Sequence, residues 1–146
     1  MFIDEFITQI KDNCPILAGR VYGTPDAALI QEGGRLDPLN VPAVYVQLID
    51  EKADGESIRT KKYHQLINVQ MGLVLVVSNK KNVTTTTPLK DVETIKLEIM
   101  QSLCGWIPTG AAFPVNFIAG RREEYDDLTQ FWTMVFSFPY AFKGVL

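Results

Sequence analysis

The sequence predicts an α+β (α/β) domain: a small mixed or antiparallel sheet, two main helices packed on it, and charged β-hairpins protruding from it. Three observations carry this. Apolar residues recur at helical spacing near the N-terminus and again between residues 89 and 104. β-branched and aromatic residues run in three later stretches, 43–50, 63–78 and 128–140. Proline, glycine and dense charge punctuate the intervals. With 146 residues, 47% of them apolar, the chain suits a single domain over 1–146 with one core.

Phe2, Ile3, Phe6, Ile7 and Ile10 share one helical face. Asp4 and Glu5 open that helix and Lys11 closes it, which suits the helix dipole, and Pro15 ends it. Arg20 to Tyr22 reads as a short strand. "GTPDAALIQEGG" then predicts a helix of about two turns, with Thr24 as N-cap, Pro25 at the first helical position and Gly33 as the stop. "RLDPLNVP" is a loop, and Ala43 to Asp50 a strand.

The next stretch, Glu51 to Lys62, has seven charged residues in twelve and an Asp54-Gly55 turn signal. Tyr63 to Ser78 follows as one strand of unusual length. Its first half alternates like a half-exposed strand and its second half is apolar on both faces. Sixteen extended residues span about 53 Å at ~3.3 Å each. A domain of this size is only about 30 Å across. A continuous strand therefore protrudes as one arm of a hairpin, with the charged stretch at its tip.

"NKKNVTTTTP" is a polar loop into a second long helix, capped by Thr87, begun by Pro88 and closed by Gly105 as the residue after its end, near Cys104. Its apolar residues, Leu89 to Cys104, spread over roughly 200°, wider than the ~100° stripe that covers one sheet. Glu93 and Lys96 lie inside that arc. Two readings stand: a partly solvated ion pair at the edge of a generous core face, or two apolar faces, one for the sheet and one for a neighbouring subunit. Val115 to Gly120 leads through "RREEYDD" into Leu128 to Tyr140. There Trp132, Met134, Phe136, Phe138 and Tyr140 form a core face, and Phe131, Thr133, Val135 and Ser137 a mixed one.

Composition narrows the function. The formal charge of −3 argues against a general nucleic-acid binder, and leaves room for a local basic patch. Acidic residues follow Met1 where a secretion signal would be basic, and the longest apolar run, Leu73 to Val77, is too short to span a bilayer. This predicts a protein made in a cytoplasm. Cys14 and Cys104 read as buried free thiols, with no C-x-x-C spacing and a single histidine to support zinc. Any Ser-His-Asp or Cys-His scheme depends on His64, which reads as a surface or interface residue. No G-x-G-x-x-G or G-K-[ST] loop is present. Asp126, Asp127, Glu123 and Glu124 read as a solvated turn rather than a cation site, and Arg59, Lys61, Lys62, Lys80 and Lys81 as solvated or protein-paired rather than phosphate-bound. "GWIPTGAAFP" holds no nucleophile beyond Thr109, and reads as a rigid helix-to-strand collar packed by Trp106.

The order of parts is distinctive: "GTPDAAL", "VPAVYVQL", "YHQLINVQMGLVLVVSN", a helix ending "LCGWIP" and a final "FWTMVFSFPYAF". Over nearly the whole chain it resembles the tail terminator proteins of tailed bacteriophages, particularly those of Mu-like and related phages and prophages. "PAVYV", GW-x-P and the aromatic last strand carry the resemblance, and none is a catalytic signature. It implies a fold related to tail-tube and neck proteins, and a ring, typically a hexamer, on the last ring of the tail tube. That ring stops tube polymerisation and offers a docking surface to the head–neck complex. DNA passes through it without sequence-specific binding. No enzymatic activity, cofactor or membrane is implied. The protein would be made in the host cytoplasm and end in the virion.

Under that resemblance, Glu93, Lys96, Leu97, Ile99 and Met100 are candidate subunit-interface residues. The second face of the last strand is another candidate patch. Arg59, Lys61, Lys62, Arg121, Arg122, Glu123 and Glu124 are candidate contacts to tube, neck or lumen. Another neck or baseplate adaptor, a small cytosolic enzyme using His64 with an acidic residue, and a nucleic-acid binder using Arg59, Lys61 and Lys62 are the alternatives.

Overall fold

The structure, a computed structural model, describes residues 2–23, 42–59, 63–78, 87–124 and 129–144. The predicted short helix at 24–33 lies outside the described residues. Helix α1 spans Phe2–Asn13, and a 3-10 turn, Pro15–Leu17, leads to strand β1, Val21–Gly23. Then come β2 (Ala43–Arg59), β3 (Tyr63–Ser78), helix α2 (Thr87–Leu103), β4 (Asn116–Glu124) and β5 (Thr129–Gly144). The strands form one mixed sheet in the order β1-β2-β3-β5-β4, with β1 parallel to β2 and every other pair antiparallel.

The strand Tyr63–Ser78 has the predicted bounds, but its neighbours are longer than expected. β2 continues nine residues past Asp50, and β5 runs on to Gly144. The arm is therefore not a two-stranded hairpin with residues 51–62 at its tip. It is a three-stranded ribbon in which β3 pairs with β2 on one edge and β5 on the other. The reason is backbone hydrogen bonding. A long central strand offers N–H and C=O groups along both edges, and these recruit partners whatever their side chains. Charge on β2 is tolerated at Glu51 and Lys52 because β2 forms an edge there and both side chains are exposed. Likewise Arg121–Glu124 are strand residues rather than part of a turn.

The core lies between the helices and one sheet face. Phe6 and Ile10 of α1 and Ile95, Ile99 and Leu103 of α2 bury themselves on Met71, Leu73, Leu75, Met134, Phe136 and Phe138. Each such side chain contributes about 1.5–3 kcal/mol when fully buried. Phe2 and Phe6 of α1 both meet Phe138 edge-on or stacked, at 4.8 and 5.6 Å between ring centroids. On the opposite sheet face Ala43, Tyr45, Val74, Val76 and Phe131 form a second buried cluster. Residues 71–77 of β3 are thus buried on both faces, as their unbroken apolar run predicts. Beyond Val69 burial declines, and Leu66, Asn68 and Phe142 are exposed on the arm.

Two bulges interrupt the outer strands near the same rung. Ile49 is extra between Leu48 and Asp50, and Ile118 between Phe117 and Ala119. The first explains Gly72, because a Cβ there would overlap Ile49, whose Cδ1 and Cγ1 fill its place. Gly72→Ala is expected to cost about 1–3 kcal/mol by overpacking, and Ile49→Ala in the same chain to recover most of that loss. Urea denaturation of both variants checks this.

Candidate interaction surface

The segment after α2 is a closed loop pinned at both ends. The helix terminates on Gly105 with φ +89°, a left-handed conformation glycine adopts freely. The Trp106 N–H donates to the Leu103 carbonyl at 3.1 Å, and the Val115 N–H donates to the Trp106 carbonyl at 2.8 Å. The Ala112 N–H donates to the Pro139 carbonyl of β5 at 2.9 Å. From α1, Glu5 Oε2 accepts from the Thr109 N–H at 2.9 Å, and the Trp106 ring meets Phe6 edge-on at 5.3 Å. The Gln9 amide donates to the Ser102 carbonyl at 2.8 Å. These contacts tie α1, the end of α2 and β5 to the loop or to one another, so "GWIPTGAAFP" is a structural collar. It also presents Ile107 and Phe113, 53% and 59% exposed.

The α2 candidates divide by burial. Ile99 is fully buried in the subunit core, so its side chain has no area to give a neighbour, and Met100 packs against that core. The helical period explains both: Ile99 lies one turn from buried Ile95 and Leu103. Leu97 is 56% exposed and Glu93 exposed. Lys96 is half-buried, and instead of reaching Glu93 its Nζ lies 4.0 Å from the centroid of the Trp132 ring.

Trp132 connects this helix flank to β4. Buried Gln130, with its amide oxygen turned toward them, accepts from the Trp132 indole N–H and from Arg122 Nε, each at 2.9 Å. Lys96 and Arg122, which sequence spacing assigns to different sets, therefore stand on one face around one tryptophan. Periodicity within a helix carries no information about which strand lies beneath it, so this juxtaposition had no sequence signal.

Among the other candidates, Arg121 and Glu123 are exposed on β4. Glu124 lies on β4 and Arg59 on β2, while Lys61, Lys62, Lys80, Lys81, Asp126 and Asp127 lie outside the described residues. His64 sits on the arm, paired with Ile58 and Lys143. On the mixed face of β5, Phe131 is buried and Thr133, Val135 and Ser137 are half-buried. Among the described residues, no group of three or more His, Cys, Asp or Glu is placed to hold a metal, and no helix is long and apolar enough to cross a membrane.

The cysteines differ from each other. Cys14 is buried against α2, and its thiol pKa is raised first by burial, with Glu98 adding to the rise and a hydrogen bond with Ser102 opposing it. Cys104 is exposed, not buried as expected from the helical arc, because α2 ends one residue before it.

A family model described as phage tail terminator protein matches residues 3–144. Among solved structures, a chain of the virion of a native gene transfer agent (GTA) particle is similar, with a TM-score of 0.54 and 13% identity, over 95% of this chain and 92% of that one. At that identity the likeness is one of fold. No curated protein matches the sequence. The chain belongs to the phage tail terminator protein family, structural proteins of the phage tail, and is a virion component.

Two expectations follow from the collar and the thiols. Gly105→Ala has open space around it but a left-handed backbone, so it is expected to cost about 1–2 kcal/mol. Gly105→Asn should cost less, and thermal melts of the two compare them. A thiol reagent should modify Cys104 promptly and Cys14 only on unfolding. The folded state also holds the Cys14 proton above the pH at which the unfolded chain releases it. Stability measured by denaturation should therefore decline as pH rises past the ordinary thiol value of 9.0.

Proposed function

We propose that this chain caps the phage tail tube as a ring of identical copies, ends tube polymerisation and presents the far side of the ring to the head–neck proteins. The family match over 3–144 carries the reading. The build of the subunit supports it. A rigid sheet is clamped by two helices and a collar, while large apolar side chains remain exposed on the collar, α2 and β4. Such side chains are covered in an assembly at little conformational cost, because the backbone beneath them is already fixed. The partners are then other copies of the chain, the tail tube protein and the neck proteins. A count of six follows the family's usual ring, and DNA passes through the opening. A mildly acidic chain suits a channel wall that must not grip DNA.

In this reading the protein works by assembly, and His64 has no chemical role. Light scattering and negative-stain images, with and without purified tail tubes, are expected to show a particle several times the 16.4 kDa of one chain, with a central hole. His64→Gln should leave that particle unchanged. A single copy in both conditions, with tubes that continue to grow in its presence, would overturn the proposal.

A further inference from the structure

We propose that the collar of one copy docks into the next, with Phe113 seated in the apolar groove between the start of α1 and β2 of a second copy. The inference rests on the ring reading and names the two patches that close it.

The groove is lined by Phe2 and Ile3 of α1, Leu48 and Glu51 of β2, Met71 of β3 and Tyr140 of β5. Glu51 is the one charged residue among them. Only Leu48 and Glu51 of the six are exposed, so the groove opens on the β2 side. Its volume is about 270 Å³. An apolar cavity of roughly 150 Å³ holds a benzene molecule, so the groove admits a phenyl side chain.

Phe113 is 59% exposed, the most exposed large apolar side chain among the described residues. Its backbone is already fixed. The Ala112 N–H donates to the Pro139 carbonyl before it, and the Val115 N–H donates to the Trp106 carbonyl after it. A side chain presented in this way loses little freedom on docking, and buried aromatic anchors carry much of the energy of protein interfaces.

Level and charge join the two patches. The groove spans the rungs from Leu48–Met71–Phe136 to Ile67–Tyr140. On the other side of the sheet the collar reaches the same rungs, since Ala111 bridges Tyr140 and Asn116 pairs with Ser137. Phe113 lies between those two anchors in the chain. Groove and Phe113 therefore stand at one height on opposite flanks, and a copy displaced sideways across the strands brings them together. From Ile99 to Gly120 the chain holds no Asp, Glu, Lys or Arg. The collar thus meets the rim at Glu51 without setting a like charge against it or burying a charge of its own. By contrast, Leu97 stands between Lys96 and Glu98, and Ile49 precedes Asp50. Because the two patches differ, the contact is head-to-tail, and it closes a ring when the rotation per subunit closes.

The test uses full-length chains carrying Cys104→Ser with Glu51→Cys, Ala112→Cys or both. All three positions are exposed, and Phe113 and the apolar lining stay intact. Tail tubes are present if wild type assembles only on them. A short bismaleimide should link the double-cysteine chain into a ladder of whole multiples. Neither single-cysteine chain should link to itself, and the two mixed should give pairs and nothing longer. Adding Phe113→Asp should lower linking at least about ten-fold with melting temperature unchanged, and Phe113→Leu should keep most of it. Rings that form without these links, single-cysteine chains that link to themselves, or a Phe113→Asp chain that links like its parent overturn the docking and leave the ring reading standing. Wild type that remains a single copy with and without tubes removes both.

Discussion

Most of the molecule follows from one strand paired on both edges over most of its length. Tyr63–Ser78 pairs residue by residue with Thr129–Gly144 on one side and with most of Ala43–Arg59 on the other. A strand in that position has no backbone group left for solvent, so its side chains alone decide what lies above and below it. Residues 71–77 are apolar on both faces, and both faces are buried there. Residues 65–68 belong to the same ladder without the same burial. Core and arm are thus one element in two environments. The change occurs where alternating Val69, Met71 and Leu73 take over from Leu66 and Asn68.

The helices and collar hold that sheet in a fixed shape by mutual contact. α1 lays Phe2 and Phe6 on Phe138, and reaches the collar through Glu5 and Trp106 and α2 through Gln9. The collar in turn donates to Pro139 on β5. This is a closed circuit of contacts, in which moving any one element strains the others. Such rigidity suits a part that must stack and dock, because little conformational entropy remains to be lost when its surfaces are covered.

The surfaces left open follow from topology. Among the described residues, a five-stranded sheet with a three-residue β1 leaves most of β2 without a strand at one side, and β4 ends the other. Bulges at Ile49 and Ile118 locally interrupt pairing, and both isoleucines stay about half exposed, Ile49 lying over Gly72 of β3. Around Trp132, Lys96 and Arg122 give the β4 side a fixed basic rim, since both are held by contacts with the ring and with Gln130. The collar adds Ile107 and Phe113, both exposed.

The sequence by itself determined the elements whose signals are local. Helical spacing from Phe2 to Ile10, the Thr87-Pro88 start, the Gly105 stop and the two-sided apolar run of 71–77 are each written within one turn or one strand. The alternating aromatic face of β5 is as well. It also carried the family, since the order of those elements with "GWIP" and "FWTMVFSF" is a linear property. Only the tertiary structure decided how far β2 and β5 extend, because their length is set by a partner strand rather than by their own charged or mixed residues. It also decided that Ile99 belongs to the core, that Cys104 meets solvent and that Lys96 and Arg122 share one tryptophan. Each of these depends on which element lies opposite, and neighbours in space leave no mark on the spacing of neighbours in sequence.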